Sequence, residues 1–271
     1  MKTFVRPKYK VWSINMENSF NKYRYLWWSV SCLVGREFVR FFMEPSRVVG
    51  IVLQPLLFLT VFGVGFQQSF FWQVDKNVSY AAFFFPGILA LTVLFGAIYS
   101  TLTLVEDKKL GFFRLALIAP GGVQGALLGK LLATVLMSFS QALLFLPLIF
   151  VLQLHVTLLG FAQILIALWF GSVCCGLLGL LFAWLSPSSS AFHALMSVIL
   201  IPLWLLSGAM FPLSNSVLKM LALANPVSYL VDAIRASFFG VGSFGNNLAL
   251  LFGFSVLLGI LVFRVGARGL K

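Results

Sequence analysis

Charge is scarce in this sequence. Charged residues fill 10% of its 271 positions, against about 25% in an ordinary soluble domain, so too little remains to coat a water-facing surface. Acid is scarcer still, with seven Asp and Glu against 19 Lys and Arg. None lies between Glu44 and Asp75, between Asp75 and Glu106, or between Asp107 and Asp232. The long apolar stretches therefore carry no carboxylate for a proton relay or a coupling ion. The two histidines, His155 and His193, stand near the ends of such stretches, where a lone His reads as capped or interfacial. Cys32, Cys174 and Cys175 show no metal-ligand spacing and read as small core residues. Residues 1–22 mix Lys, Arg, Asn and Ser with no apolar core and cleavage site, so no signal peptide is expected. No repeat or low-complexity linker divides the chain. A single transmembrane domain over 1–271 is expected, with a cytoplasmic arm and interfacial helix at 1–45, a core at 46–263 and a tail at 264–271.

What is abundant is apolar sequence: 61% hydrophobic residues and a mean hydropathy of +1.01. Roughly 20 mostly apolar residues cross about 30 Å of hydrocarbon as a helix. Six stretches fit, at 46–66, 80–105, 125–152, 158–185, 191–211 and 247–263. Each is too long for a barrel strand and lacks alternation. The expected fold is an all-α integral membrane protein with six transmembrane helices. The net charge of +12 sits beside the spans and forms no basic face for nucleic acid. Sixteen of the 19 Lys and Arg precede the first span, lie between the second and third, or follow the last, which places both termini in the cytoplasm. Before the first span, Trp27, Val30, Val34, Phe38, Phe41 and Phe42 recur at helical spacing, and Arg36, Glu37, Arg40 and Glu44 take other positions. An interfacial helix fits this pattern, and an irregular arm is the other reading. The stretch 212–246 reads as short external helices or re-entrant turns.

Several motifs bear on chemistry. The run from Gln124 to Leu131 imitates a phosphate-binding loop but has Gln124 for the first Gly and Leu131 for the magnesium-binding hydroxyl, with no strand before it. Gly121, Gly125 and Gly129 instead recur every four residues, which favours close helix packing. No nucleophile and base stand together in sequence. The cytoplasmic loop 106–120 combines Glu106, Asp107, Lys108, Lys109 and Arg114 with Gly111, an apolar run and a terminating Pro120. It reads either as a short amphipathic helix against the membrane or as an ordinary charged loop.

Taken together, Phe85-Pro86-Gly87, Glu106 to Arg114 with Pro120 and Gly129-Lys130, Leu205 to Pro212, and Asn225 to Tyr229 with Arg235 resemble the membrane subunits of ABC-2 type exporters. The likeness runs over about 29–268. It implies a six-span exporter permease in a cell membrane, of the bacterial inner membrane kind. It implies an N-terminal interfacial helix, a cytoplasmic coupling helix and short external helices before the last span. By the same resemblance the permease works with a second copy of itself, as a homodimer, and two separate ABC ATP-binding subunits. No cofactor is expected on this chain, and ATP and magnesium belong to the partner. Glu106, Asp107, Lys108, Gly111, Arg114 and Pro120 are implied to meet the ATPase subunit. Ser207, Gly208, Pro212, Asn225, Pro226 and Tyr229 are implied in an outward gate with external helices. Related permeases often carry an acid near Arg114, and others have Arg, which bears on partner identity. A lipid, an amphiphilic drug or a glycan would suit as substrate. The competing expectation is a non-transport membrane protein, either an assembly factor or an intramembrane enzyme.

Overall fold

A computed structural model describes residues 19–66, 79–111, 122–213 and 215–268. Among them every regular element is helical: α1 (Ser19–Phe42), α2 (Pro45–Gly65), α3 (Tyr80–Lys109), α4 (Gly122–Phe145), the single turn α5 (Leu148–Val151), α6 (Leu158–Leu185), α7 (Ser189–Leu205), α8 (Ser216–Leu223), α9 (Pro226–Phe239) and α10 (Phe244–Arg268). Polar residues fix where helices begin. Ser79, Thr157, Ser188, Asn215 and Asn225 each accept a hydrogen bond from an amide in the first turn that follows, filling donors that no helix can satisfy by itself. Gly240, at φ 67°, ends α9 in the left-handed conformation that glycine adopts freely.

α3 is the axis of the bundle. At 30 residues it is about 45 Å long, and its apolar side chains are buried almost all round, with Phe84, Phe85, Ile88, Leu89, Val93, Leu94 and Leu104 at 0% exposure. α2, α4, α6 and α9 pack around it. Small residues let them approach. A Cβ on Gly96 would stand 3.0 Å from the Ser138 Cα of α4, and one on Gly160 2.7 Å from the Ser237 carbonyl of α9. Helices cannot gain from hydrophobic association inside lipid, so such close contacts carry the packing. Phe58, Phe62, Phe84 and Trp204 join α2, α3 and α7 through edge-on and tilted ring contacts.

Among the described residues five helices are long and apolar enough to cross a membrane, α8 and α9, which meet at 100°, pass the same test taken as one, and α7 is a shorter apolar helix. The chain is a multi-pass membrane protein. The expected third stretch, 125–152, breaks where Pro147 cannot donate to the ladder, and α5 resumes for one turn. The expected fifth, 191–211, is corrected most: α7 stops at Leu205 and contains a π-helical turn, Met196–Leu200. Beyond it Gly208 takes φ 74° and the backbone turns away as a strap over α3. The last stretch is longer than expected, since α10 runs from Phe244 to Arg268.

α1 departs from its sequence reading in a different way. Val30 faces inward as the pattern suggests, but so does Glu37, at 1% exposure, while Trp27 and Phe42 are exposed at 63% and 68%. The helix therefore turns part of its charged face to the protein, because the counter-charges are there.

Candidate functional site

Polar side chains gather at the two ends of α3. At its basic end, Arg36 and Arg40 are four residues apart and share one face of α1. Arg36 donates to both carboxylate oxygens of Asp107, Nη2 to Oδ1 at 2.7 Å and Nη1 to Oδ2 at 3.0 Å. This fork is the strongest form of a charged hydrogen bond. That bond, more than anything else, holds the Arg36 guanidinium above its ordinary range despite partial burial. Arg40 reaches Asp107 at 3.0 Å and Glu106 at 2.5 Å.

A deeper layer lies beside it. Lys130, more than two turns into α4, is 5% exposed and sits 2.7 Å from the Glu37 carboxylate. Both also bond the Thr103 hydroxyl, which donates to Glu37 at 2.8 Å and accepts from Lys130. Three cations, Arg36, Arg40 and Lys130, thus meet three carboxylates, Glu37, Glu106 and Asp107, across α1, α3 and α4. Gly125 and Gly129 open room for α1: a Cβ on Gly129 would lie 3.0 Å from Leu33 Cδ1 and 3.3 Å from Val30 Cα, and one on Gly125 3.4 Å from Ser29 Cβ. Lys108 turns the other way. Its Nζ donates to the carbonyls of Ala183 and Trp184 at 3.1 and 3.0 Å and lies 5.2 Å over the Trp184 ring. A cation there completes the unsatisfied carbonyls and opposes the dipole at the end of α6.

Glu106, Asp107 and Lys108, expected at a partner contact, are therefore engaged inside the chain. Gly111 follows α3 at φ 72°, a conformation that glycine adopts freely, and a Cβ there would meet nothing within 4 Å among the described residues. Arg114, Pro120 and Gly121 lie outside the described residues. Sequence reasoning missed Glu37 and treated Lys130 as a loop charge. The signal was present in the second case, since a cation inside an apolar run has to find a partner.

At the other end of α3, the strap after α7 brings most of the expected gate residues together. Ser207 bonds back to the Trp204 carbonyl at 2.6 Å, and Trp204 Nε1 donates to the Gly87 carbonyl at 2.9 Å. Tyr80 donates to the Met210 carbonyl at 3.1 Å. Asn225 caps α9 through Val227 N and donates to the Leu203 carbonyl at 2.5 Å, which ties α9 to α7. Pro226 opens α9 with φ already helical. Tyr229 donates to the Leu223 carbonyl at 2.7 Å, closing the corner between α8 and α9. Arg235, absent from the expected gate set, donates to the Gly208 carbonyl at 2.9 Å and stacks 4.4 Å over Phe83. Pro212 is exposed at the edge.

Residues 29–239, which include both clusters, match the family model described as ABC-2 type transporter. This chain belongs to that family. It is similar to the proteins that carry the name transport permease ycf38 in Cyanophora paradoxa, at 30% identity over 86% of each chain, and in Porphyra purpurea, at 29% over 76% of this chain and 72% of the relative. The protein is a membrane transport permease, and membership of the family implies an ABC ATP-binding partner.

Proposed function

We propose that this ABC-2 permease is the membrane subunit of an ATP-driven exporter, paired with a second copy and with two separate ATP-binding subunits that hold the ATP and magnesium. The observation that carries the reading is the ion network that joins the chain on either side of residues 112–121, the stretch read from sequence as a cytoplasmic loop. The residues that enter the loop are clamped to α1 by Arg36 and Arg40, and Lys130, after it, is clamped to the same helix through Glu37. A push on the loop would then move α1, α3 and α4 together, as coupling requires. The loop is the contact with the ATPase, the basic end of α3 is cytoplasmic, and Glu106, Asp107 and Lys108 support the contact from behind. α7 serves as a short crossing of 17 residues, about 25 Å, which keeps the crossings even and both termini cytoplasmic. The membrane is the cell membrane, of the bacterial inner membrane kind.

A specific feature supports the second copy. His193 and Ser197 are exposed on α7 and, with Tyr99, line a hollow of about 100 Å³. Polar groups facing hydrocarbon are costly, so this face suits a neighbouring protein and a path between copies better than lipid. The proposed cargo is a lipid, an amphiphilic drug or a glycan, and the apolar surroundings suit the first two.

The test is to co-purify the chain with its ATPase subunit and measure substrate-stimulated ATP hydrolysis. Arg114→Glu should release the partner or abolish stimulation while the permease stays inserted. Gly111→Asn, which tolerates positive φ, should keep more coupling than Gly111→Val, which does not. Full binding and full stimulation in Arg114→Glu and Gly111→Val together would remove the loop from the contact.

A further inference from the structure

Between the strap, α8 and α9 lies a cavity of about 370 Å³ that borders the gate residues Ser207, Gly208 and Tyr229. Its polar wall is Ser207, Lys219, Ser228, Tyr229, Asp232 and Arg235, and Leu213 and Leu223 line the remainder. Two of these polar groups are buried and unsatisfied. Ser228 is 4% exposed and its Oγ meets no hydrogen-bond partner among the described residues, and the same holds for Nε of Arg235, whose side chain is 11% exposed. Buried donors are almost always paired in a folded protein, so two on one cavity call for a partner that enters it. The other arms of the guanidinium are held, Nη2 by the Gly208 carbonyl at 2.9 Å and Nη1 by Asp232 at 3.3 Å. The fork is thus fixed in place with one donor spare. Asp232 is half exposed at the rim, so Lys219 and Arg235 leave the cavity with one net positive charge.

We propose that this cavity binds a phosphate or carboxylate group, with Arg235 and Ser228 as its ligands and Lys219 steering it in. Cationic and hydroxyl side chains in a wall that also bears Leu213 and Leu223 suit the headgroup of an anionic amphiphile. That this amphiphile is cargo leaving the permease rests on the exporter reading; the site itself does not. α3 separates the cavity from the cytoplasmic ion network by about 45 Å, so neither cluster can serve the other directly.

The experiment needs no ATPase. The purified permease in neutral maltoside micelles is titrated with dihexanoylphosphatidic acid, with dihexanoylglycerol, which keeps the tails and lacks the phosphate, and with inorganic phosphate, and binding is read by native mass spectrometry and thermal shift. Saturable binding of phosphatidic acid but not of the diacylglycerol is expected. Ser228→Ala should weaken it roughly tenfold without lowering the melting temperature of the free protein, because the hydroxyl it removes has no partner to lose. Lys219→Gln should weaken it a fewfold and leave it less sensitive to salt than binding at the native site. Arg235→Gln also releases Gly208, so Ser228→Ala is the deciding variant. Inorganic phosphate binding as well would support the site and assign it to a free anion. Equal binding of the diacylglycerol, or native affinity in Ser228→Ala, would overturn the proposal. Failure of the chain to associate with an ATPase would remove the exporter reading and leave this result standing.

Discussion

Lys130 shows how one side chain can set the terms for three helices. Its ammonium is out of water, and the Glu37 carboxylate at 2.7 Å, the Thr103 hydroxyl and the nearby Asp107 charge offset the cost of burying it. Breaking a buried pair by removing one member leaves the other uncompensated, at about 3–5 kcal/mol, whereas replacing both with apolar groups can be near neutral. Lys130→Met should therefore lower the melting temperature sharply, and Lys130→Met with Glu37→Leu should recover most of the loss. If the double variant melts as low as the single, the pair is not what makes Lys130 necessary. By contrast Arg40 and Glu106 are partly exposed, at 24% and 30%, so truncating that pair should cost much less.

At the scale of elements, the strap after α7 is held on α3 by contact rather than by length of chain. A Cβ on Gly87 would stand 2.7 Å from Ala209 Cβ and 3.0 Å from its Cα. Backbone, not a flexible side-chain end, has to yield, and the Trp204 bond to the Gly87 carbonyl and the Tyr80 bond to Met210 depend on the same approach. Gly87→Ala should cost about 1–3 kcal/mol as overpacking does and loosen the seat of the strap on α3. Gly253 on α10 has nothing within 4 Å, so Gly253→Ala should cost nothing and add helix propensity. Comparing the two by thermal unfolding in detergent separates steric from propensity effects; equal behaviour would mean that the strap is not tightly seated. The break at Pro147 and the 100° corner between α8 and α9 belong to this scale too.

For the whole molecule, the uneven placement of basic residues and the faces left open by the bundle make one joint prediction. α2 exposes Val49, Leu53, Leu57 and Val61 at regular four-residue steps, and α7 beside it exposes Val198 and Ile201. α10 exposes a comparable apolar face at Phe252, Val256 and Ile260, and its exposed polar residues, Asn246 and Arg264, stand towards its two ends. With Cys32→Ser removing the exposed thiol, a cysteine at Val198 should cross-link to its copy in membranes, and one at Ile260 should not. A cysteine at Lys219 should react with an impermeant maleimide from the outer side. Labelling of Lys219→Cys only from the cytoplasmic side would invert the topology, and failure of Val198→Cys to cross-link would remove α7 from the interface.

The sequence by itself determined that the chain is helical and embedded, where most helices begin, and which end of α3 is basic. These follow from local properties: hydropathy over about 20 residues, caps within one turn, and the count of Lys and Arg. It did not determine the early end of α7, because the apolar run continues through 206–211 and only the seat of Ala209 on Gly87 explains why the backbone leaves the helix. It also did not determine that Glu106 and Asp107 face Arg36 and Arg40, nor that Lys130 finds Glu37. These partners are 66 to 71 residues apart for the α1 and α3 contacts. Charges are paired by distance in space, and only packing of α1 against α4 through Gly125 and Gly129 brings them within reach.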